Sequence, residues 1–218
     1  MWNAEQGSNA YKSHSISSHS GEITSLQFHP LSNYIVSTSQ DQTWGFHDIE
    51  RATTVATSSK DSVSSPMSCG GVHPDGLLLA TGQQDGSINL WNIAAQSVVM
   101  TFANHKNGTR DLTFSENGYQ VITGGSNEVI LWDLRKIKEP VKTAKLNKSF
   151  DLSCLSLTNS SAYLAAAGSS VVLYHTQTLE EIVTLSDHSE RVTGVQWDHA
   201  GTSLASVSLD RTLKIYSA

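Results

Sequence analysis

Nine histidines are the residues in this sequence best suited to acid–base or metal chemistry, and their spacing decides what they can do. None stands in an H-E-x-x-H or other paired metal-ligand spacing. There is no G-x-G-x-x-G, P-loop or G-x-S-x-G motif to hold a dinucleotide, cradle a phosphate or present a nucleophile. No catalytic residue, cofactor site or metal site is therefore assigned. Three histidines follow another rule: His19, His105 and His188 each precede an apolar run by four residues, and Asp41, Asp85 and Asp210 recur in turns just ahead of a further run. His29 and His73 sit in His-Pro turns. Cys69 and Cys154 share a column with Ser25, Asp111 and Gly194, where a small residue facing a crowded axis is the simplest reading. Asp111 is the one charge in that column and is expected to meet Arg110, Arg191 or water. A last cluster is basic: RKIKEPVKTAKLNKS carries Arg135, Lys136, Lys138, Lys142, Lys145 and Lys148 against Glu139 alone. Two readings stay open for it. It is either a solvated outer strand kept from pairing by lysines, or a docking surface for an acidic partner or a nucleic-acid backbone. No aromatic residue interleaves it, which weakens the single-strand-stacking version.

What positions these residues is an internal repeat. Trp2, His47, Trp91, Trp132, Tyr174 and Tyr216 follow one another at intervals of 45, 44, 41, 42 and 42 residues. Apolar pairs precede the last five: Trp44/Phe46, Ile88/Leu90, Val129/Leu131, Val171/Leu173 and Leu213/Ile215. That alternation is a strand with one buried face. An earlier register, Ile23/Leu26/Phe28, Met67/Gly70/Val72, Thr109/Leu112/Phe114, Leu152/Leu155/Leu157 and Val192/Val195/Trp197, marks a first strand. The turn formers Ser32, Gly76, Gly118, Ser161 and Gly201 follow it and lead into a middle strand. With a fourth strand in the variable stretch, each repeat is a four-stranded unit, the signature of WD-repeat propeller blades.

The expected architecture is all-β, with five four-stranded blades at about 18–60, 61–103, 104–146, 147–186 and 187–218. Residues 1–17 read as the remnant third and outer strands of a preceding blade. Two geometries follow: five blades of a larger, seven-bladed ring, or a closed five-bladed propeller in which Tyr11–Ser17 pairs with the Leu213–Tyr216 strand. The open form is preferred, because the start at Trp2 looks like a cut. In WD-repeat proteins a His, a Ser/Thr, an Asp and a Trp form a buried hydrogen-bonded chain, worthwhile only when every member is satisfied. The resemblance implies that network at His19, Ser37 and Asp41; Thr81, Asp85 and Trp91; His105, Thr123 and Trp132; and His188, Ser206 and Asp210. His47 stands where the first Trp is expected, Val63 replaces the second His, and Asn127 is the candidate stand-in for the third Asp. Tyr216 replaces the last Trp. The fourth repeat, with Lys148, Ala166, Ser170 and Tyr174, has lost the network and is expected to be the weakest.

The net charge of −6 disfavours general nucleic-acid or anionic-membrane binding and points to protein partners. No apolar run reaches membrane-span length, and the first residues lack the pattern of a signal peptide. The stretches DQTWGFHDIE, VHPDGLLLATGQQDGSINLWNI, FSENGY, VILWDLRKIK and LDRTLKIYSA resemble, in order, the C-terminal WD-repeat domain of the pre-mRNA-processing factor 19 family. That resemblance implies a nuclear, non-catalytic propeller that recruits substrates or partners to a spliceosome-associated ubiquitin ligase complex. It also implies roles in splicing and DNA-damage signalling. In the family a U-box recruits the conjugating enzyme and a coiled coil tetramerises. Neither is expected within these residues, so ligase activity and oligomerisation are not carried over. A WD-repeat scaffold of another complex is the alternative.

Overall fold

The computed structural model describes residues 14–58, 62–102, 105–136 and 138–217. Among these residues there are nineteen strands in five antiparallel sheets. The first sheet runs β1 (Ile23–Phe28), β2 (Tyr34–Ser39), β3 (Trp44–Asp48) and β4 (Thr53–Thr57). The second runs β5 (Met67–Val72), β6 (Leu78–Gln83), β7 (Ile88–Asn92) and β8 (Ser97–Phe102). The third runs β9 (Thr109–Phe114), β10 (Gln120–Gly125), β11 (Glu128–Asp133) and β12 (Lys142–Lys145). The fourth runs β13 (Cys154–Leu157), β14 (Tyr163–Ala167), β15 (Val171–His175) and β16 (Glu180–Leu185). The fifth has three strands, β17 (Val192–Trp197), β18 (Ser203–Ser208) and β19 (Leu213–Ser217). Strands pair in sequence order within every sheet, as short turns demand. Those turns are set by the spaced small residues: Ser32, Gly76, Gly118, Ser161 and Gly201 all have φ between 57° and 73°, a region most side chains avoid.

The sheets stack through their faces. First strands of successive sheets lie side by side, β1 with β5, β5 with β9, β9 with β13 and β13 with β17. Between each neighbouring pair lies an apolar layer. Trp44 and Val36 meet Met67, Leu79 and Trp91 between the first two sheets, and the Trp44 and Trp91 rings cross edge to face with centroids 6.0 Å apart. Ala80, Ile88 and Leu90 meet Leu112, Val121 and Ile130 between the second and third. The third layer joins Ile122, Val129 and Leu131 to Leu152, Leu155 and Leu164, and the fourth joins Ala165, Ala167 and Val171 to Val192, Val195 and Leu204. Each fully buried Leu or Ile in such a layer contributes about 1.5–3 kcal/mol. This is the face-to-face blade packing of a WD propeller.

The outer faces of the array differ from the layers inside it. Ile23, Leu26 and Phe28 are 55%, 62% and 70% exposed, and Leu213 and Ile215 are 61% and 69% exposed. Trp44 and Phe46 belong instead to the layer shared with the second sheet. Residues 1–13, which hold Trp2 and the first three residues of the Tyr11–Ser17 segment expected to cap the Leu213–Tyr216 edge, lie outside the described residues, and the remaining four, 14–17, lie outside any strand.

Candidate functional site

Hydrogen-bonded columns run through four of the five sheets. In the third, the middle strand β10 carries Thr123 inward to Trp132 of β11, whose indole N–H donates to the Thr123 hydroxyl at 3.0 Å. His105, ahead of β9, lies 3.0 Å from the same hydroxyl through Nε2 and 2.9 Å from Glu128 Oε1 through Nδ1. Glu128 is the carboxylate of this column, in place of Asn127. A glutamate one residue further along the chain reaches the ring that an aspartate in the turn reaches elsewhere. In the fifth sheet His188 spans Ser206 Oγ at 2.7 Å and Asp210 Oδ2 at 2.8 Å. Gly86 makes room for the third column: at φ +90°, a Cβ there would stand 1.8 Å from the His105 carbonyl oxygen.

The first sheet keeps the chain with a histidine in the indole's place. Thr43 donates to Asp41, so its oxygen is free to accept the His19 Nδ1–H at 2.9 Å. Nε2 of His19 then accepts the Ser37 hydroxyl proton at 2.7 Å. Ser37 in turn accepts from His47 Nε2–H at 2.7 Å, and His47 Nδ1 accepts from Thr54 at 3.1 Å. Every polar atom is satisfied in a single direction. The second sheet replaces the missing histidine from within: Gln83 Nε2 and the Trp91 indole both donate to Thr81 Oγ1 at 2.9 Å. Ser87 links Gln83 to the exposed Asp85, 2.6 Å away. The fourth column is apolar. Ala166, Phe150 and Tyr174 pack together there, and burial pushes the Tyr174 hydroxyl up to about 12.

Hydroxyl, imidazole and carboxylate in this order are the parts of a nucleophilic triad. Ser37, Thr123 and Ser206 cannot use them so, because each residue is at most 2% exposed and sits between packed strands, out of reach of a substrate. The columns are structural. Burial holds the His47 and His105 imidazoles below their ordinary pKa, against Glu128 in the latter case. Asp210 is held well below the usual carboxylate range by the Thr212 hydroxyl and by His188. At Asp41 burial works upward, yet hydrogen bonds from Thr43 and Ser20 outweigh it and hold the carboxyl low.

Further contacts fasten one sheet to the next, and the sequence patterns above do not mark them. His29 lies 2.8 Å from the Gly76 carbonyl through Nε2, and His73 stands in the same relation to Gly118. The His29 Nδ1 accepts the backbone N–H of Leu31, which makes Nε2 the protonated nitrogen of that ring, whereas the His73 Nδ1 lies 2.8 Å from the Asp75 carboxylate. Ser68 and Ser153 reach carbonyls of their own middle strand and of the next sheet's first strand. Asp111 accepts the Leu155 N–H of the fourth sheet at 2.7 Å and the Leu112 N–H at 2.8 Å. Its expected counter-charges are elsewhere: Arg110 and Arg191 both pair with Asp151. Burial accordingly raises Asp111 to about 6, and burial with the nearby Asp111 charge raises both Cys69 and Cys154, the latter to about 11.

The basic segment divides into two kinds of residue. Arg135 is fixed by a bidentate pair with Asp133 at 2.7 and 2.9 Å, and its guanidinium lies 4.6 Å over the Tyr119 ring. Lys136 and Lys138 lie in the β11–β12 connection, Lys142 and Lys145 on the outer strand β12, and Lys148 beyond it. All five are exposed, and among the described residues no ion pair engages them.

Comparison with known proteins sets these features in a family. The pattern described as "WD domain, G-beta repeat" matches residues 11–48, 53–92, 96–133 and 179–217. The unmatched stretch contains most of the fourth repeat, the one without a polar column. Over 99% of its length the chain is 32% identical to "Pre-mRNA-processing factor 19 homolog 2" of Arabidopsis thaliana, of which it covers 42%. It is 34% identical over 93% of its length to "Pre-mRNA-processing factor 19" of Bos taurus, covering 40% of that protein, and 34% identical over 82% to that of Homo sapiens, covering 36%. The chain thus spans well under half the length of these relatives.

Proposed function

We propose a docking function for this chain, which belongs to the WD domain, G-beta repeat family: it holds protein partners of the pre-mRNA splicing machinery in the nucleus and performs no chemistry itself. The observation that carries the reading is similarity to pre-mRNA-processing factor 19 proteins along 99% of the chain, together with polar columns whose hydroxyls are sealed from substrate. Rigid stacked sheets with satisfied polar interiors suit this task, since they present loops and outer strands in fixed relative positions. The more specific role is recruitment of substrates or partners to a spliceosome-associated ubiquitin ligase complex. It follows from the family resemblance and is part of the same proposal.

A pull-down tests it. The purified chain, immobilised and incubated with nuclease-treated nuclear extract, should enrich splicing proteins and ubiquitin-ligase components over a WD-repeat control of unrelated origin. Enrichment no greater than the control's would overturn the proposal. Enrichment seen only in extract without nuclease treatment would show that RNA, and not protein contact, carries the association.

A further inference from the structure

Between the outer strand β8 of the second sheet and the β11–β12 connection of the third lies a groove of about 900 Å³. Met100 projects into it from β8, while Leu134, Pro140 and Val141 line it from the connection. Met100 and Val141 are exposed there. Lys136 and Lys138 stand at its rim, free of ion pairs among the described residues. Arg135 is already neutralised by Asp133, so these two lysines and the single Glu139 decide the sign of the rim. In a chain of net charge −6, this is a local reversal of sign over an aliphatic floor.

We propose that this groove binds an acidic protein segment carrying an apolar anchor residue, the anchor seated on Met100, Leu134, Pro140 and Val141 and the carboxylates against Lys136 and Lys138. The inference rests on the docking function above and names one of its surfaces. Charge complementarity commits the occupant: an acidic segment is favoured by the rim, and long-range attraction raises its rate of encounter. The floor argues against a nucleic acid. A phosphate backbone gains nothing from aliphatic surface, and no aromatic residue lines the groove to offer a platform for base stacking among the described residues.

The test uses the full 218-residue chain and three labelled probes. One is a short peptide whose Glu residues flank a central Leu-Phe pair, the second is its Gln-for-Glu counterpart, and the third is an oligouridylate. Fluorescence anisotropy should show the acidic peptide binding about tenfold or more tightly than either of the others. The double charge reversal K136E/K138E should weaken it by about tenfold, and M100E by a similar factor. Both variants alter exposed positions, and an unchanged urea midpoint confirms that the fold is intact. Equal affinity for the Gln peptide, tighter binding of the oligouridylate, or indifference to K136E/K138E would each overturn the proposal. These outcomes are separate from the fate of the docking function: enrichment of splicing proteins by a chain that ignores the acidic peptide would leave docking in place and move it to another surface.

Discussion

Thr123 and Thr176 are both fully buried, and their hydroxyls should respond in opposite ways to removal. Thr123 accepts the Trp132 indole proton and bonds His105, whereas the Thr176 hydroxyl meets no hydrogen-bond partner among the described residues. Replacing either with valine keeps the volume and shape, so the packing contribution is nearly unchanged and the polar one is isolated. T123V leaves a buried indole N–H and a buried imidazole nitrogen without partners. At roughly 1–3 kcal/mol for each orphaned group, partly relieved by local relaxation, the expected loss is about 2–4 kcal/mol. T176V removes an unsatisfied hydroxyl and should be neutral or stabilising by up to about 1 kcal/mol. Urea titrations followed by tryptophan fluorescence give both values, with constant slope as the check that only stability changed. Equal losses at the two positions would refute the reasoning, because burial alone and not the polar chain would then set the cost.

Asp111 provides a pH signature. Its folded pKa of about 6 lies above the ordinary aspartate value of 3.8, so the stabilisation that comes from protonating it in the fold is fully present below about pH 4 and is lost as pH rises through 6. His47 and His105, whose pKa values are depressed, act in the opposite sense: their contribution is present above their unfolded value near 6.5 and is lost as pH falls below it. The Asp111 part is therefore read as the difference in slope between wild type and D111N from pH 7 to 4, and parallel curves would count against it. Cys69 and Cys154 should alkylate with iodoacetamide at pH 8 no faster than the chain unfolds, since both thiols are held protonated; rapid labelling of either would show an open axis. G86A should cost about 3 kcal/mol or more through left-handed strain and the clash with His105, and thermal melting near the wild-type midpoint would contradict that contact.

The strands were legible because one spacing recurs along the chain, and a buried face at period two leaves few alternatives for each run. Their turns were legible for a similar reason, since a left-handed backbone selects glycine or serine at a fixed place. The columns were readable only where residue type and position coincide, as at His188, Ser206 and Asp210. Elsewhere reach mattered more than identity. Gln83, on the middle strand, substitutes for a histidine that elsewhere precedes the first strand, Glu128 substitutes for an aspartate by being longer, and His47 donates where an indole would. The His29 and His73 fastenings join repeats, and a pattern within one repeat cannot show them. Apolar residues of β1 look like core in the sequence because their counterparts in β5 and β9 are core; whether such a face is covered depends on what stands beside its sheet. The groove was hidden too, since Met100 and Val141 meet only after two sheets have stacked.

Docking of splicing proteins without chemistry is the central claim, and proximity labelling in living cells tests it most directly. With a biotin ligase fused to the chain, the account predicts nuclear labelling in which pre-mRNA-processing proteins dominate, diminished by K136E/K138E for those partners that present acidic segments. Labelling spread over cytosolic proteins, with splicing proteins no more abundant than around a free biotin ligase, would contradict it.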